Sequence, residues 1–228
     1  MELRDLHPWR VSPKEAIAIQ RDLAVQVVRE GEPADVNHVA GVDISVDAKR
    51  GRGTGAVVVL SYPELEVVVV AVEEAPLPFP YVPGLLSFRE TPVLAAAFAR
   101  IVGPIDLLLV DGQGLAHPRR FGLACHLGLL LDLPAIGCAK SRLVGEHTAP
   151  DEAAGGRSDL IDRGEVIGSV LRTRTGVNPL FVSIGHRIGL AEAEAWVLRC
   201  CRGYRLPEPT RLAHQAAAGR IPASAAPA

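Results

Sequence analysis

Three carboxylates in this chain each emerge from an apolar or glycine-rich stretch. Asp43 ends Val39-Ala40-Gly41-Val42-Asp43, Glu90 ends Pro80-Tyr81-Val82-Pro83-Gly84-Leu85-Leu86-Ser87-Phe88-Arg89-Glu90, and Asp111 follows Leu107-Leu108-Leu109-Val110 and precedes Gly112. An acid that follows a buried strand has poor access to water, so its charge needs a partner. No lysine or arginine lies inside the strand segments that carry Asp43 and Asp111, which points to a hard metal ion bound by oxygen. A lone aspartate in such a place more often caps a neighbouring helix. Three together make the chain a candidate metal-dependent hydrolase.

The elements that must position these acids can be read from periodicity. Ser12-Pro13-Lys14-Glu15 has the form of a capped helix start, with serine as cap, proline in the first turn and glutamate reaching back. Ala16, Ile19, Leu23 and Val27 continue it at helical spacing, and Gly31 stops the run. Residues 38–46, 55–62 and 66–73 read as three strands of an antiparallel meander, with Asp43 inside the first. Prolines crowd residues 76–83 and exclude both helix and central strand there. Thr91-Pro92 reads as the start of a helix reaching about Val102, and residues 105–110 as a strand buried on both faces. A glycine-rich loop at 112–122, a helix at 122–132 and a short strand at 134–138 follow. Residues 145–164 read as an exposed excursion, 165–172 and 179–184 as strands, Leu190 to about Arg202 as a helix, and 210–218 as a short final helix. Residues 1–218 form one domain on this reading, and 219–228 a disordered tail.

Bulk properties narrow the classes. The 228 residues are 48% hydrophobic with few aromatics, so Val, Leu, Ile and Ala must fill a sizeable core. No uninterrupted apolar run approaches the ~20 residues of a membrane span, and the N-terminus lacks the pattern of a secretory signal. A cytoplasmic protein with no membrane partner is expected. The net charge of -2 argues against a non-specific DNA coat, while the abundant arginines leave room for a local basic groove. Cys125, Cys138, Cys200 and Cys201 form no C-x-x-C pair, so they read as small buried hydrophobes rather than a zinc or redox site.

The order of three antiparallel strands, helix, strand, helix and strand suits an α/β fold of the ribonuclease H-like type, a mixed central sheet with helices on both faces. In that fold the first and fourth strands are neighbours, which would bring Asp43 beside Asp111. Six segments then resemble the endonuclease V (deoxyinosine 3′ endonuclease) family. They are the Asp43 and Glu90 stretches above, Asp111-Gly112-Gln113-Gly114-Leu115-Ala116-His117-Pro118-Arg119, Gly137-Cys138-Ala139-Lys140-Ser141, Gly185-His186-Arg187-Ile188, and Pro207-Glu208-Pro209-Thr210-Arg211-Leu212-Ala213-His214. The resemblance spans about residues 12–217. Thr91-Pro92 departs from it, since family members often carry glycine after the glutamate.

The resemblance implies a DNA repair enzyme that recognises deoxyinosine (deaminated adenine) and hydrolyses the second phosphodiester bond on its 3′ side. The products carry 3′-hydroxyl and 5′-phosphate ends, and the cofactor is Mg2+, with Mn2+ able to substitute. Asp43, Glu90 and Asp111 would hold the metal, His214 would orient or deprotonate the attacking water, and Lys140 would neutralise the scissile phosphate. Tyr81-Val82-Pro83-Gly84 resembles a strand-separating wedge that fills the gap left by a base drawn from the stack. Gly84, Gly112, Gly114, Gly122 and Gly137 would let backbone donors approach hypoxanthine, with His117 close by in the glycine loop. Arg89, Arg119 and Arg142 are candidate phosphate contacts.

The expected partner is deoxyinosine DNA, acted on by a monomer. Nothing in the chain reads or excludes a 2′-hydroxyl, which leaves inosine in RNA open as a substrate. The alternatives are a structure-specific nuclease for mismatches or flaps that shares the acids but lacks the base pocket, and a non-catalytic nucleic-acid binder, which the complete acid set disfavours.

Overall fold

The computed structural model describes residues 3–224. Its centre is one eight-stranded sheet: β1 (His38–Asp47), β2 (Arg52–Ser61), β3 (Val67–Pro76), β4 (Leu107–Val110), β5 (Ala135–Ala139), β6 (Arg157–Asp162), β7 (Glu165–Leu171) and β8 (Leu180–His186), in the order β3-β2-β1-β4-β5-β8-β7-β6. The helices are α1 (Pro13–Ala24), α2 (Leu86–Phe98), α3 (Leu123–Leu131), α4 (Leu190–Arg199) and α5 (Glu208–Ala217). β1, β2 and β3 form the expected antiparallel meander, and β1 pairs in parallel with β4, which pairs in parallel with β5. This is the mixed ribonuclease H-like sheet with its first and fourth strands adjacent.

Because successive side chains of a strand point to opposite faces, β1 and β4 feed two cores. Val39, Leu107 and Leu109 join Trp196, Val197 and Ala213 of α4 and α5 on one face. Ala40, Val42, Leu108 and Val110 join Leu94, Phe98, Leu123 and Leu127 of α2 and α3 on the other. The four residues of β4 are buried without exception, as a central strand covered on both sides requires. No helix among the described residues is long and apolar enough to cross a membrane.

Local signals account for most boundaries. Ser12 accepts from the Glu15 N–H while the Glu15 carboxylate accepts from the Ser12 N–H, closing the capping box of α1. α1 ends at Ala24, short of Gly31, although Val27 remains buried beyond it.

Three elements differ from the sequence expectation. α2 begins at Leu86, not Thr91, so Glu90 lies within a helix, and Pro92 is inside it rather than at its start. Burial of Phe88, Leu94, Ala97 and Phe98 outweighs the backbone hydrogen bond that Pro92 cannot donate. The excursion at 145–164 contains β6, which pairs with β7 at the sheet edge. The turn after β6 is held by Arg120, which pairs with Asp162 at 2.8 Å and Glu165 at 2.7 Å. Within the tail read as disordered, Ser224 bridges to Val70 on β3 through its N–H at 3.0 Å, and 225–228 lie outside the described residues.

Gly41 of β1 faces α5 so closely that an added Cβ would sit 1.9 Å from the Pro209 carbonyl oxygen. Gly41→Ala should therefore force α5 off the sheet and cost about 1–3 kcal/mol, the range for overpacking. Denaturant unfolding checks this, and an unchanged midpoint would show that the contact is not tight.

Candidate active site

The β1–β4 register sets Val42 opposite Val110, so Asp43, within β1, and Asp111, just past β4, stand side by side. Asp43 is 8% exposed, and its Oδ1 accepts from the Ile44 N–H at 2.8 Å. The His214 Nδ1–H donates to Asp43 Oδ2 at 2.7 Å from α5, leaving Nε2 on a half-exposed ring. Lys140, just beyond β5, forms a close ion pair with Asp111 Oδ2. Asp43, Asp111 and His214 each offer a ligand atom, and these atoms lie within 4.8 Å of one another.

Glu90, expected as a third carboxylate ligand, is outside that set in this geometry. It approaches from α2 and is 5% exposed, and its carboxylate makes no hydrogen bond or ion pair among the described residues. Burial first, then the negative charge of Asp43, pushes its pKa from an ordinary 4.5 to about 8, with Asp111 adding to the rise and Arg89 opposing it. Burial and Asp43 likewise raise Asp111, against the pull of Lys140 and His214. Two carboxylates and an imidazole, with a third acid at hand and one side open to solvent, suit a divalent cation of the Mg2+ or Mn2+ kind.

Beside this cluster is a cavity of about 150 Å3, and Asp111 is part of its wall. The wedge residues Tyr81, Val82, Pro83 and Gly84 form one side, while Gly112, Gln113, Phe121 and Gly122 form another. Tyr81 is 72% exposed, whereas Phe79 and Leu85, which flank the wedge, are buried against Ala16 and Phe88. The loop thus has fixed ends and a projecting aromatic. Ser87 Oγ and Gln113 Oε1, both on wall residues, are buried without a hydrogen-bond partner, which leaves them available to a ligand.

The five glycines divide into two kinds. Gly84 lines the cavity at φ +77°, a left-handed backbone that a side chain would strain. Gly112 and Gly122 also line it, but Gly114 and Gly137 do not. An added Cβ on Gly114 would meet the Ile184 carbonyl oxygen at 2.1 Å, and one on Gly137 would meet the Gly114 nitrogen at 2.5 Å. These two let β5, β8 and the glycine loop close upon one another. His117 is buried, with both ring nitrogens engaged: Nε2 donates to Gly84 O at 2.9 Å and Nδ1 accepts from the Arg119 N–H at 3.2 Å. Burial and Arg119 hold its pKa down at about 4, so the ring stays neutral. His117 therefore supports the wedge and has no nitrogen left for a base. Arg119 likewise donates to Gly84 O, and Arg89 donates to Phe79 O, so both are occupied within the protein.

The family model for endonuclease V matches residues 21–215. The chain belongs to the endonuclease V family. It is 56% identical to the endonuclease V of Gloeobacter violaceus over 92% of this chain and 86% of that one. It is 54% identical to that of Dehalococcoides mccartyi over 97% and 99%. Among solved structures it resembles the Streptomyces avermitilis endonuclease V, with a TM-score of 0.88, 40% identity, and 96% and 97% of the two chains covered. It also resembles the Ciona intestinalis endonuclease V in complex with DNA containing an inosine followed by a ribo-adenosine, with a TM-score of 0.80, 28% identity, and 90% and 95% covered.

Among the cavity-wall residues that sequence reasoning did not single out are Gln20, Ser87, Gln113 and Leu143. Ser87 and Gln113 stand inside family segments. Gln20 carried a signal of its own, a polar side chain on the apolar stripe of α1. Leu143, in a polar loop, carried none.

The raised Glu90 pKa has a consequence for folding. Between pH 4.5 and 8 the unfolded chain has released the Glu90 proton while the folded chain retains it. The stability this supplies is complete below that window and is lost as pH rises through it. The thermal midpoint of the chelator-treated protein should therefore fall from about pH 5 to about pH 8, and Glu90→Gln should flatten the decline. An equal decline in the variant would place the titration elsewhere.

Proposed function

We propose that this chain incises DNA containing deoxyinosine, hydrolysing the second phosphodiester bond on the 3′ side of the lesion to leave 3′-hydroxyl and 5′-phosphate ends, with Mg2+ or Mn2+ as cofactor. The observation that carries this reading is that Asp111 belongs both to the three-residue ligand cluster and to the wall of the adjoining cavity. A space of about 150 Å3 suits one base and is far too small for a duplex. A nuclease reading mismatches or flaps by shape would not need it. The inosine-containing DNA bound by the Ciona relative supports the same choice.

The chain's own groups take the following roles. Asp43 and Asp111 would hold the cation, with Glu90 completing the acidic lining. A bound divalent cation lowers the pKa of water and offsets charge building on the phosphoryl oxygens. Asp43 fixes the His214 ring through Nδ1, so Nε2 is the atom free to orient or deprotonate the attacking water. Lys140, already beside Asp111, supplies a compact positive charge for the phosphate. Tyr81, on its stiffened loop, stacks in the gap that the extruded base leaves. Extrusion costs a few kcal/mol and is cheapest at a mispaired base such as inosine opposite thymine. One chain supplies both cluster and cavity, which supports a monomer as the working unit.

A labelled oligonucleotide with one inosine, incubated with and without Mg2+, tests substrate, chemistry and cut position together. Asp43→Ala and Asp111→Ala should each lower nicking by about 1,000-fold, the several kcal/mol a bound cation supplies, with DNA binding largely kept. Near wild-type turnover in either would refute the assignment. Tyr81→Ala should weaken engagement of inosine in duplex more than in single strands. Equal losses on both would count against strand separation.

A further inference from the structure

Gln20 is 1% exposed on the inner face of α1, a place where an amide must be hydrogen-bonded to be tolerated. Its Nε2 donates to Gly84 O at 3.0 Å and to Phe121 O at 3.1 Å, and its Oε1 accepts from Arg119 Nε. The Gly84 carbonyl oxygen gathers two more donors, His117 Nε2 at 2.9 Å and Arg119 Nη2 at 2.6 Å. Gly84 ends the wedge, whereas His117, Arg119 and Phe121 belong to the segment that follows Asp111. These two segments form opposing walls of the cavity, and Gln20 itself completes its lining.

We propose that Gln20 is a positioning residue that sets the width of the base cavity, clamping the wedge loop to the glycine-rich wall. Discrimination of hypoxanthine from adenine then depends on α1, which contributes no group to the acidic cluster. The clamp rests on the base-binding reading above but goes beyond it. The carboxamide is the group required, because the site needs two N–H donors and one acceptor from a single uncharged side chain. Glutamate keeps the acceptor for Arg119 but sets a carboxylate oxygen against two carbonyl oxygens. Methionine keeps length and packing and loses all three hydrogen bonds. A wall free to shift by a fraction of an ångström cannot hold donors at the distances that separate a carbonyl from an amino group.

The test uses the full chain as wild type, Gln20→Met and Gln20→Glu. Hydrogen–deuterium exchange without DNA reads the clamp, and nicking of inosine against matched adenine oligonucleotides in Mg2+ reads its consequence. Both variants should exchange about tenfold faster across 79–88, the size of effect expected for losing one buried hydrogen bond, while β1 and β4 keep wild-type protection. The inosine-over-adenine ratio of kcat/KM should fall by about the same factor, through KM more than kcat. Unchanged exchange across 79–88 would overturn the clamp. So would exchange raised equally in β1 and β4, which marks a general loss of stability, or a loosened wedge with an intact ratio. A wild-type chain without preference for inosine would instead overturn the proposed function, and exchange would still decide whether Gln20 holds the loop.

Discussion

The constraint on which the site depends is the burial of like charge at the centre of the sheet. β1 and β4 are parallel neighbours, and Asp43 within β1 stands level with Asp111 just past the end of β4. Glu90 faces both from α2, with Arg89 only partly offsetting its burial and the charge of Asp43. Lys140 and His214 answer part of this charge, one at Asp111 and the other at Asp43. The remainder is carried as raised proton affinity. A fold that maximised its own stability would place apolar groups here. Asp43, Asp111 and His214 form a cluster that could hold a metal ion, which would offset that charge.

Close backbone approach provides the second requirement, a cavity next to those charges. Gly41 lets α5 settle against β1 and so delivers His214 to Asp43. Gly114 and Gly137 bring β5, β8 and the glycine loop together behind the cavity. The wedge is then held by its Gly84 carbonyl, on which Gln20, His117 and Arg119 converge. Chemistry and recognition thus stand on different supports. The cluster rests on the sheet and α5, and the cavity on loops tied to one another and to α1. Asp111 is the residue common to both.

Much of this was legible in the chain itself. The Val-rich meander, the capping box at Ser12 and the buried strand before Asp111 each follow from local pattern, because periodicity and capping are local physics. So does the prospect that Asp43 and Asp111 would meet, once the order of elements suggested the sheet. The misreadings share one origin. Thr91-Pro92 has the local form of a helix start, yet α2 runs through it because its apolar face is buried. The polar stretch at 145–164 has little apolar pattern, yet β6 forms there by pairing with β7 and through the ion pairs of Arg120.

The residue types alone determined which chemistry was available: acids emerging from apolar segments for a hard cation, an aromatic on a proline-stiffened loop for stacking, glycines for close approach. Only the tertiary structure decided how those groups divide the work. It joined His214 to Asp43 across 171 positions of chain, set Glu90 behind the ligand set, turned His117 from a base contact into a support for Gly84, and enlisted Gln20 from the first helix. Side-chain identity is written locally, whereas a hydrogen-bond partner depends on which backbone segments meet in space, and that is fixed when the whole sheet closes.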